Sequence, residues 1–102
     1  MPPSISVWIS TRNASDFITK CLGSLLDQSF TDWEAVFIDD ASTDDTWENA
    51  WRVAAGDPRI RLLRNTLRVR QVGAFLQAFP LLTGEIVVEL DGDDWFPDPS
   101  AL

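Results

Sequence analysis

Glu85-Ile86-Val87-Val88-Glu89-Leu90-Asp91-Gly92-Asp93-Asp94-Trp95 runs a short apolar segment straight into three carboxylates within four residues. Like charges at that spacing repel and raise one another's pKa values. A cation relieves the repulsion, and carboxylate oxygens suit hard ions such as Mg²⁺ and Mn²⁺. Asp91 and Asp93 are two apart, so an extended backbone points both to one side. Gly92 removes bulk between them and lets a ligand approach the backbone. The segment reads as a strand that ends in a metal-and-diphosphate site, at the edge where open α/β sheets bind their ligands. An acidic turn is the plainer alternative, because Asp-Gly is a common turn pair.

Working back from this strand, apolar runs alternate with helical periods. Ile5 to Ile9 is a first buried strand. Asn13 is placed to cap a helix, with Asp16 at the capping-box position. Phe17, Ile18, Cys21, Leu22, Leu25 and Leu26 form that helix's apolar face. Trp33 to Ile38 is a second strand, ending in Asp39-Asp40. Ser42 and Asp44 offer caps for a second helix, whose stripe is Trp47, Ala50, Trp51 and Ala54. Gly56-Asp57-Pro58 ends it. Ile60 to Leu63 is a third strand. Val72, Phe75, Leu76 and Phe79 keep a helical period that Pro80 should break near its end. Thr83-Gly84 leads into the last strand. The order β-α-β-α-β-α-β implies a mostly parallel, Rossmann-like α/β sheet flanked by helices, with right-handed crossovers.

Composition narrows the function. The 102 residues suit one domain, and a formal net charge of −8 disfavours nucleic acid or an anionic membrane as partner. With no His, acid–base work would fall to Asp or Glu. The lone Cys21 excludes an internal disulfide, suits a reducing compartment and is expected to be a buried structural thiol. No segment approaches a membrane span, and the N-terminus lacks a signal-peptide pattern. A cytoplasmic location is expected, with attachment at a membrane surface left open.

If the strands are parallel, Asp39-Asp40, Asp91-Gly92-Asp93-Asp94 and the Ser10–Asn13 segment converge on one crevice. Helix capping is the plainer reading of Asp39-Asp40. The segments Ile5–Asn13, Phe37–Asp44 and Leu90–Phe96, with Ser24–Glu34, Asp57–Arg61 and Thr83–Glu85, resemble the N-terminal half of family 2 glycosyltransferases. The resemblance spans nearly the whole chain. It implies a GT-A half-domain that binds a nucleotide-diphosphate sugar with Mg²⁺ or Mn²⁺. It places Ser10, Asp39, Asp40 and Asp91 at the nucleoside and ribose. Asp91, Asp93 and Asp94 would lie at the metal, Asp91 and Asp93 as a DxD motif. The catalytic base and acceptor site are expected in a C-terminal half beyond these residues, so that residues 1–102 form an incomplete domain.

Arg12 stands where the family commonly has Tyr, and the family's Arg-Asn-x-Gly segment is absent between Leu67 and Phe79. Arg64, Arg68 and Arg70 could reach a diphosphate, or could form a solvated basic face. Two other functions stay open: a non-catalytic nucleotide- or metal-binding module, and a phosphotransferase of the haloacid dehalogenase type. For a half-domain, exposed apolar surface near Trp95 and Phe96 and self-association as a homodimer are expected.

Overall fold

Four strands and three helices alternate along the chain in the computed structural model, which describes residues 2–102. They are β1 (Ile5–Thr11), α1 (Ile18–Leu26), β2 (Trp33–Asp40), α2 (Thr46–Ala54), β3 (Ile60–Asn65), α3 (Arg70–Ala78) and β4 (Ile86–Asp91). A 3₁₀ turn, Phe79–Leu81, carries Pro80 and closes α3 where the sequence expected a break. The sheet order is β3-β2-β1-β4, and every pair is parallel. The chain steps outward from β1 to β3, then crosses back past β1 to β4. Right-handed crossovers in opposite directions put α1 and α2 on one face and α3 on the other.

The alternation of side chains along each strand sorts the core into two layers. Val7, Ile9, Trp33, Ala35, Phe37 and Leu90 pack with α1 and α2. Trp8, Val36 and Ile38 pack with α3. At the amino edge, Glu34 joins β2, β1 and the turn into β4. Its Oε2 accepts from the Thr83 N–H at 2.6 Å, the Thr83 hydroxyl at 3.0 Å and the Ser6 hydroxyl at 2.5 Å.

Two helices match their expected stripes only in part: Ala50 and Ala54 of α2 are buried, and Trp47 and Phe75 pack against the core, but the other large apolar residues do not. In α2 the buried line is Thr46, Ala50 and Ala54, while Trp51 is 56% exposed. In α3 it is Ala74 and Ala78, while Val72 and Leu76, with Phe79 in the 3₁₀ turn that follows, face outward. Both buried lines have i, i+4 spacing and small side chains, which bring the helix axis close to its neighbours. The larger apolar residues lie about one residue's rotation to the side. In α1 the buried residues Ile18, Cys21, Leu22 and Leu25 match the expected face.

Asn13 does not cap α1, which lacks a side-chain cap and starts after a turn at Ala14–Phe17. At φ 54°, Asn13 instead joins two loops: its Oδ1 accepts from the Thr43 N–H at 2.8 Å, and its own N–H donates to the Ser42 hydroxyl at 2.9 Å. Asp44 does serve the start of α2, accepting from the Thr46 N–H at 3.0 Å.

Residues after β4 turn back over α1. Gln28 holds them, donating to the Asp98 carbonyl at 2.8 Å and accepting from the Leu102 N–H at 2.9 Å. Phe96 packs against the larger core, and Trp95, though 41% exposed, lies under the Lys20 ammonium at 3.7 Å. The expected apolar exposure at Phe96 is therefore absent. Trp95 keeps part of the expected exposure, and more of it lies on α3, the 3₁₀ turn and β4, at Val72, Leu76, Phe79, Ile86 and Val87.

Candidate functional site

The carboxyl edge of the sheet opens between β1 and β4, where the strand order reverses. That is the switch point at which doubly wound sheets form a crevice. A cleft of about 370 Å³ lies there, lined by Ser10, Thr11, Arg12, Asn13, Ala14, Phe17, Asp40, Arg68, Arg70, Gln71, Asp91, Gly92 and Asp93. Ser10 pairs in register with Asp91 across β1 and β4.

Alternation along β2 separates the two acidic residues at its end. Asp40 follows Val36 and Ile38 on the α3 face and lines the cleft. Asp39 follows Ala35 and Phe37 on the other face and is fully buried. Its Oδ1 accepts from the Ser42 N–H at 3.2 Å. Among the described residues its Oδ2 has no hydrogen-bond partner, and it lies 4.0 Å from Arg64 Nε. Arg64 shares that face, with its guanidinium 5.5 Å from the Trp47 ring centroid, so it stands apart from Arg68 and Arg70.

Asp40 is largely engaged within the protein. Oδ1 accepts from the Val69 N–H at 2.8 Å and from Asn65 Nδ2 at 3.2 Å, and Oδ2 accepts from the Arg70 N–H at 2.7 Å. A carboxylate offers about four acceptor positions. One therefore remains, on Oδ2. Burial pushes the Asp40 pKa up, but the hydrogen bonds from Val69, Asn65 and Arg70, with the nearby Arg68 charge, outweigh it and hold the pKa below the ordinary aspartate value. The residue stays an acceptor at neutral pH.

Two backbone positions beside Asp40 are left-handed without being glycine: Ala41 at φ 62° and Arg70 at φ 66°. Such conformations cost on the order of 1–2 kcal/mol for residues with a Cβ. They cluster where a site is held by surrounding bonds rather than by local preference.

Asp91, Asp93 and Asp94 offer carboxylate oxygens that all lie within 4.8 Å of one another, and all three are exposed. Burial, then the charges of Asp93, Glu89 and Asp94, raises the Asp91 pKa. An all-oxygen donor set under mutual repulsion fits a hard divalent ion. Gly92 has a packing reason: a Cβ there would lie 2.2 Å from Thr11 Oγ1. Cys21 beneath the cluster is buried, and burial with the three aspartate charges pushes its thiol up to about 12. It is inert at neutral pH, as expected of a structural thiol.

Ser10, Asp40, Asp91 and Asp93 thus meet at one cleft, and Asp94 joins Asp91 and Asp93, whereas Asp39 lies on the other face. Phe17 and Gln71 line the cleft without having been anticipated. Phe17 read as core because it continues α1's apolar period, and nothing in the sequence marked Gln71.

Residues 6–101 match the family described as glycosyl transferase family 2. The chain belongs to that family. Among its relatives, the chondroitin synthase of Escherichia coli is 36% identical over 101 residues, which cover 98% of this chain and 14% of that protein. A solved mannosyltransferase from Pyrobaculum calidifontis, in complex with GDP-Man and Mn²⁺, superposes with a TM-score of 0.86 at 31% identity. The match covers 97% of this chain and 30% of that one. TarS from S. aureus in complex with UDP-GlcNAc superposes with a TM-score of 0.74 at 28% identity, over 89% of this chain and 27% of that one. This family 2 chain spans only part of the length of its curated relatives, from 10% to 38% across eight of them. No helix among its described residues is long and apolar enough to cross a membrane.

Proposed function

We propose that these 102 residues are the donor-binding portion of a glycosyltransferase that moves a sugar from a nucleotide diphosphate to a hydroxyl acceptor. The observation that carries this is the meeting of Ser10, Asp40, Asp91 and Asp93 at one switch-point cleft, in a family 2 chain. Asp40 would accept a base N–H on its remaining Oδ2 position. Ser10 would line the nucleoside, and Asp91 would reach the ribose. Asp39, buried on the far face, would act through the Ser42 turn rather than by contact.

Asp91, Asp93 and Asp94 would hold Mg²⁺ or Mn²⁺. A divalent ion there would supply Lewis-acid stabilisation of the charge that develops on the leaving diphosphate. The chain's own contribution is to orient the donor, through one β1 side chain, one β2 carboxylate and the aspartates at and just after the end of β4. The catalytic base and acceptor site are assigned to polypeptide beyond these residues.

Titration calorimetry with UDP and GDP, in Mn²⁺ and in EDTA, tests the reading. Binding should require Mn²⁺, and Asp93→Ala should remove that requirement together with most of the affinity. Equal affinity in Mn²⁺ and EDTA would rule out the metal-bridged site.

A further inference from the structure

Three arginines share the cleft with its aspartates. Arg12, Arg68 and Arg70 all line it, and among the described residues none of the three guanidinium groups is in an ion pair. One divalent ion does not neutralise the three carboxylates of Asp91, Asp93 and Asp94. A nucleoside diphosphate adds further negative charge. In a crevice with low-dielectric walls that excess is strongly repulsive, and cations must offset it.

Arg70 is the best placed of the three. Its φ of 66° is a conformation that side-chain-bearing residues rarely adopt. Asp40 imposes it by accepting from both the Val69 and Arg70 N–H groups. The carboxylate proposed to read the base thus also sets the backbone from which Arg70 extends. Arg64, in the same stretch of sequence, is held on the other face by Asp39 and Trp47 and cannot substitute.

We propose that Arg70, with Arg68 beside it, contacts the diphosphate of the donor, and that Asp40 is the positioning residue that presents it. The assignment rests on the donor-binding reading above. A guanidinium matches phosphate oxygens with paired donors, a geometry that an ammonium lacks.

The test compares UDP and GDP with uridine and guanosine in Mn²⁺, using calorimetry for the diphosphates and amide shift titration for the nucleosides. Arg70→Asn removes the charge with a residue that tolerates the left-handed region, and Arg70→Lys keeps the charge without the fork. Arg70→Asn should weaken diphosphate binding about tenfold or more and leave the nucleoside titration unchanged. Arg70→Lys should fall between it and the wild type. Thermal melting of Arg70→Asn should match the wild type, which separates lost contact from lost fold. Unchanged diphosphate affinity in Arg70→Asn overturns the assignment while leaving the donor reading intact. An equal loss for nucleosides and diphosphates overturns it too, by showing that Arg70 acts on the base pocket. Failure of the wild type to bind either diphosphate overturns both.

Discussion

Asp91 shows how one residue can set function against stability. Burial, then Asp93, Glu89 and Asp94, raises its pKa, so without metal its charged form is less favourable in the folded chain than in the unfolded one. The resulting destabilisation is full above the raised folded-state pKa and vanishes below the unfolded value of about 3.9. Asp91→Asn should therefore melt higher than the wild type in EDTA at pH 7, with the gap closing as pH falls through the raised pKa. Asp40 and Glu34 have the opposite sign. Their folded-state pKa values are lowered, so their contribution is lost on acidification, and both proteins should share that loss. A lower melting temperature for Asp91→Asn at pH 7 would mean that Asp91 is a structural acceptor. Cys21 touches this strand end only through its buried thiol, which donates to the Asp91 carbonyl at 3.6 Å.

At the level of the elements, periodicity identified every helix, but the largest apolar residues were a poor guide to the buried line. Ala74 and Ala78 lie fully buried against Trp8, Val36 and Ile38, while Leu76 is 65% exposed. A helix that must sit close to an aromatic layer selects small contact residues. Ala78→Leu should then overpack this layer and cost about 1–3 kcal/mol, read from the urea midpoint. A neutral result would require unfilled space beneath α3. The strands were easier to recognise than the loops. A strand's apolar run is local, whereas Asn13, Ser42 and Thr43 pair across 29 or 30 residues, so no local capping rule describes Asn13.

For the whole molecule, α3 and β4 leave a continuous apolar flank. Val72, Phe75 and Val87 line one groove there, and Ile86 and Val87 are 58% and 49% exposed on a strand at the sheet edge. An open strand edge beside apolar surface favours association. Sedimentation at micromolar concentration should show reversible self-association of the 102-residue chain, and Leu76→Lys combined with Val87→Lys should return it to monomer. A wild type that stays monomeric across that range would refute the expectation. The groove meets the carboxyl-edge cleft at Gln71, but neither Leu76 nor Val87 lines that cleft, so the double substitution should leave UDP binding in Mn²⁺ unaltered.

The alternating β and α elements, the parallel sheet and the acidic residues at two strand ends were legible in the sequence, because apolar runs, helical periods and side-by-side aspartates are local properties. The family resemblance rested on the same short segments. Tertiary structure alone decided which of these residues share a surface. The return of α3 past β1 placed Asp40, Arg68, Arg70 and Asp91 around one cleft and left Asp39 and Arg64 on the opposite face. It also brought the Val69 and Arg70 N–H groups onto a carboxylate 29 and 30 residues earlier, and Gly92 against Thr11. These are contacts between distant parts of the chain, made only when the crossovers close, and no window of sequence contains both partners.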